Sequence, residues 1–106
     1  MAALALLAAR AQAPRLPLPL ADALFRAWSG NAGPFTGRDT LATIARQAAA
    51  HGVISPTDAE AIAEATASWT PWEQVGYAVR LCDAHEILRK EPLPIEIVLR
   101  RAGLTL

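Results

Sequence analysis

The sequence predicts an all-α fold, a small bundle of five to six short helices with a proline-rich strut near its N-terminus. Three observations carry this expectation. Helix-start signatures recur at Thr36-Gly-Arg-Asp39, Ser55-Pro-Thr-Asp58 and Thr70-Pro-Trp-Glu73, each a hydroxyl followed three residues later by a carboxylate. The hydroxyl can accept from an orphan N–H of the first turn, and the carboxylate lies against the positive end of the helix dipole. Between these starts, apolar residues recur at three- and four-residue spacing, and no stretch alternates with the period of a strand. At 106 residues the chain is large enough for one modest core and not for two. It divides into an N-terminal helix and arm, residues 1–20, and a helical bundle, residues 21–106.

Met1–Ala13 is rich in alanine and leucine and ends in Ala11-Gln12-Ala13, a mimic of a small-residue cleavage site. No basic residue precedes its apolar run, and Arg10 interrupts that run early, so the segment reads as a short helix and export stands second. Prolines at 14, 17 and 19 predict an extended strut over Pro14–Leu20, with Leu16, Leu18 and Leu20 laid along the body or along a neighbouring copy. Asp22 then caps a short helix through Trp28, closed by Gly30. Phe35, in the loop before Thr36, can act as a hydrophobic staple.

The helix opened at Thr36 presents Leu41, Ile44, Ala45 and Ala48 on one face, and Gly52 suits a left-handed stop. The helix after Ser55 turns Ala59, Ile62, Ala63 and Thr66 inward, with Glu60 and Glu64 outward. The helix from Thr70 runs to about Lys90 and carries two apolar stripes, Val75–Val79–Cys82 and Tyr77–Leu81–Ala84–Leu88. Such a wide arc predicts contact on both sides and a central position. Glu91-Pro92-Leu93-Pro94 breaks it, and a last helix through Ile95, Val98, Leu99 and Ala102 stops at Gly103, with Glu96 placed to pair Arg100.

Hydrophobic residues make up 53% of the chain, and much of this is alanine, which buries little area per residue. A shallow core leaves apolar surface for a partner. Ten basic and ten acidic residues cancel, so no overall field favours nucleic acid or membrane. The distribution is uneven: residues 1–53 carry five arginines against two aspartates, and residues 54–106 five basic against eight acidic groups. Arginine outnumbers lysine nine to one, which points to a GC-rich bacterial or phage genome. A single cysteine, Cys82, excludes an internal disulfide and suits a reducing cytoplasm. No stretch reaches the roughly 18 apolar residues of a membrane span.

Chemistry is sparse. Cys82 and His85 lie one turn apart with Asp83 and Glu86 beside them, yet a zinc site needs four converging ligands and only one other histidine exists, His51. Neighbours on one rigid helix do not converge on one atom for nucleophilic catalysis. Neither cofactor nor catalytic residue is expected. A helix–turn–helix centred on Gly52 fails, because its second helix would carry Asp58, Glu60 and Glu64 toward phosphates. The expectation is therefore a non-catalytic protein–protein interaction protein, an adaptor, regulator, inhibitor or small subunit, that also forms a homodimer through its arm. Its contact residues are expected to be Trp28, Phe35 and Trp72, with Glu60 and Glu64 steering a basic partner and Arg100 and Arg101 as further contacts. A DNA-associated regulator using Arg and Lys of the C-terminal helices stands second, a metal- or redox-active helical protein third.

Overall fold

The computed structural model describes residues 14–30 and 40–105. Among them lie five helices: α1 (Leu18–Gly30), α2 (Leu41–Ala50), α3 (Pro56–Thr66), α4 (Pro71–Lys90) and α5 (Ile95–Arg101). The fold class expected from sequence is the one observed. The segment 1–13, Phe35 and the Thr36–Asp39 signature lie outside the described residues.

The strut is shorter than the prolines suggested. Only residues 14–17 precede α1, which already begins at Leu18, so Pro19 sits in a helix rather than excluding one. Its missing N–H costs nothing there, because first-turn N–H groups have no intrahelical acceptor. The Ala21 N–H closes that turn onto the Pro17 carbonyl at 2.9 Å. Asp22 is consequently not a cap but a mid-helix residue, 3.7 Å from Arg26 one turn on. Leu16 anchors the extended piece: its N–H donates to the Leu104 carbonyl at 3.1 Å, in an isolated parallel bridge with Thr105.

The cap of α2 is Thr40, whose hydroxyl accepts from the Thr43 N–H at 3.1 Å. That helix begins one turn later than the Thr36 signature placed it. Leu41, Ile44, Ala45 and Ala48 are its buried residues, as their spacing requires. Gly52 turns the chain at φ +76°, a conformation that costs other residues steric strain. Ser55 then caps α3 by accepting from the Asp58 N–H at 3.0 Å, with Pro56 at the first helical position. Ala59, Ile62, Ala63 and Thr66 face inward, and the two alanine-rich helices form the most closely packed pair in the molecule.

The centre of the bundle is α1, which packs against each of the other four helices. Its Ala21, Ala23, Leu24, Phe25 and Ala27 are all buried. The expectation that the Thr70 helix would be central is corrected, because the Val75–Val79–Cys82 stripe is exposed and the other is covered only as far as Ala84, Leu88 being exposed at its end. The covered stripe is well built. Tyr77, Leu81 and Ala84 are inaccessible to solvent, and the Tyr77 hydroxyl donates to the Leu104 carbonyl at 3.2 Å. That carbonyl therefore receives both Leu16 and Tyr77 and ties the start of the described chain, its end and α4 together.

Candidate functional site

The first turn of α4 is fixed reciprocally. The Thr70 hydroxyl accepts from the Glu73 N–H at 3.2 Å, and the Glu73 carboxylate accepts from the Thr70 N–H at 2.8 Å. Gln74, one residue on, serves two other helices. Its carbonyl oxygen accepts from the Leu41 N–H at 3.0 Å, and its amide donates to the Thr66 carbonyl at 3.2 Å. One side chain thus satisfies an orphan donor at the start of α2 and adds a second donor to the Thr66 carbonyl at the end of α3, which already accepts from the Trp69 N–H at 3.1 Å. Trp69, just before the cap, packs on Tyr77 with ring centroids 5.3 Å apart. These ties fix the rotation of α4 about its own axis.

With that rotation fixed, the second stripe of α4 points outward. Trp72 is 70% exposed, Val75 39% and Val79 51%, and Cys82 is exposed as well. At about 100° per residue these four positions cluster on one line, half a turn from the line of Tyr77, Leu81 and Ala84. The helix is apolar on two opposite faces, one in the core and one in solvent. The outer line is bounded toward its C-terminal end by Asp83 and Glu86. Partial burial first, and then those two carboxylates, push the Cys82 thiol above its ordinary range, so it is a poor nucleophile.

The other expected contact residues do not join this face. Trp28 is half-buried and packs against the core from α1, and Phe35 is outside the described residues. Glu60 is held by Arg46 across the α2–α3 pair, at 3.3 Å, while Glu64 is exposed on α3. Arg100 pairs with Glu96 at 3.1 Å, Arg101 with Glu91 at 3.4 Å, and Arg89 with Glu86 at 3.0 Å. Of the arm residues, Leu16 is buried in the core, Leu20 packs against it and Leu18 is exposed. Sequence reasoning singled out Trp72 and missed Val75, Val79 and Cys82 as its companions. Their signal was present: the two stripes of α4 are opposed rather than adjacent, so no single neighbouring element could cover both.

Among the described residues, no group of three or more His, Cys, Asp and Glu side chains is arranged to hold a metal ion. His85 instead stacks loosely with Phe25, ring centroids 6.5 Å apart. No helix among them is long and apolar enough to cross a membrane. No known protein family, curated protein or solved structure matches the chain.

Proposed function

We propose that the chain is a non-catalytic protein–protein interaction protein, acting as an adaptor, regulator, inhibitor or small subunit, and that the outer face of α4 is its contact surface. The observation that carries this reading is Trp72 at 70% exposure, in line with Val75, Val79 and Cys82 on a helix whose core contacts are complete without them. Tryptophan supplies large, rigid contact area at small entropic cost, and residues of this kind dominate binding energy. A rigid helix also presents the line without prior ordering, which lowers the cost of association.

The DNA-associated alternative loses support from the ion pairs. Arg89, Arg100 and Arg101, the arginines proposed to touch a phosphate backbone, each hold a carboxylate of their own chain. Phosphate contact would have to displace those carboxylates, which weakens the counterion-release gain that drives such binding. Cytoplasmic location and a bacterial or phage origin belong to this reading as proposals.

The test is affinity capture from the lysate of the encoding organism, run in parallel with the full chain and its Trp72→Ala variant. The reading expects a captured protein that is lost with Trp72→Ala while the variant's melting temperature stays within a few degrees of the parent. Capture that is indifferent to Trp72→Ala, or a variant that unfolds, contradicts it.

A further inference from the structure

We draw no further inference here: the strongest candidate, the exposed line of Trp72, Val75, Val79 and Cys82 on the outer face of α4, belongs to the contact surface already described, and nothing in the structure shows what covers it.

Discussion

The α2–α3 pair and α4 are built from the same materials and end in opposite conditions. Each helix of the pair has one apolar stripe, and each stripe is buried: Leu41, Ile44, Ala45 and Ala48 on one side, Ala59, Ile62, Ala63 and Thr66 on the other. The polar backs of the pair are bridged by Arg46 and Glu60. Helix α4 carries two stripes on opposite faces and buries one. A helix with a single apolar stripe is complete once it has docked. A second stripe on the far side gains nothing from the fold, so its use must be sought outside it.

The largest break in this comparison comes from truncating the covered stripe. Leu81→Ala, at a position with no solvent exposure, should cost about 2–5 kcal/mol in denaturant unfolding. Val79→Ala, two residues earlier and half a turn round on the open face, should cost well under ~1 kcal/mol in dilute protein. Equal losses at the two positions would mean that both faces are core.

A loss confined to alkaline pH comes next. Burial pushes the Tyr77 phenol far above its ordinary value, so the folded state favours the protonated form. A folded pKa above the unfolded one gives stability that is complete below about pH 10, the unfolded value, and declines as pH rises through it. Alkaline titration should therefore unfold the protein cooperatively. In Tyr77→Phe the decline above pH 10 should be much smaller, the raised Cys82 thiol contributing what is left, although the lost hydrogen bond to Leu104 lowers stability at every pH.

The helix starts sharpen the comparison at a smaller scale. Ser55→Ala and Thr70→Ala each remove the acceptor of an orphan N–H and should each cost about 1 kcal/mol. Because the Thr70 cap orders the first turn of α4, which carries Trp72, its loss should also weaken binding at the outer face, which Ser55→Ala should not do. Arg46→Ala should be the mildest, under ~0.5 kcal/mol, since its pair with Glu60 is more than half exposed on both sides.

Much of this architecture was legible in the residues, and the exceptions have physical causes. The caps at Ser55 and Thr70, the left-handed Gly52 and the Glu96–Arg100 pair follow from short-range chemistry that a few residues contain completely. Pro19 misled because a proline that breaks a helix interior is welcome in a first turn, and only the position of the start decides which applies. Asp22 misled for the same reason: an earlier start turned a cap into a helix interior. Thr40, rather than Thr36, caps α2 because two hydroxyls one turn apart offer the same local signal. The candidate site was half visible. Trp72 stood out by its type, whereas Val75 and Val79 resembled core until Gln74 and Tyr77 fixed which way α4 is turned. Their hydrogen bonds join residues 8 to 33 positions apart, which local spacing does not encode.

The outer face of α4 is open to solvent in the folded chain, and Cys82 is a thiol placed in that face. The measurement is the rate of its reaction with an aromatic disulfide reagent in native buffer at ~1 μM protein, against the rate in denaturant, each scaled to the thiolate fraction from its own pH profile. The native profile should have its midpoint above that of the unfolded thiol, because burial, Asp83 and Glu86 all raise it. With that scaling, the native rate should lie within about tenfold of the unfolded rate and should not change when the fold is stabilised. A native rate lower by the thousandfold or more of a group exposed only on global unfolding would contradict the account and place Trp72, Val75 and Val79 under cover within the folded chain.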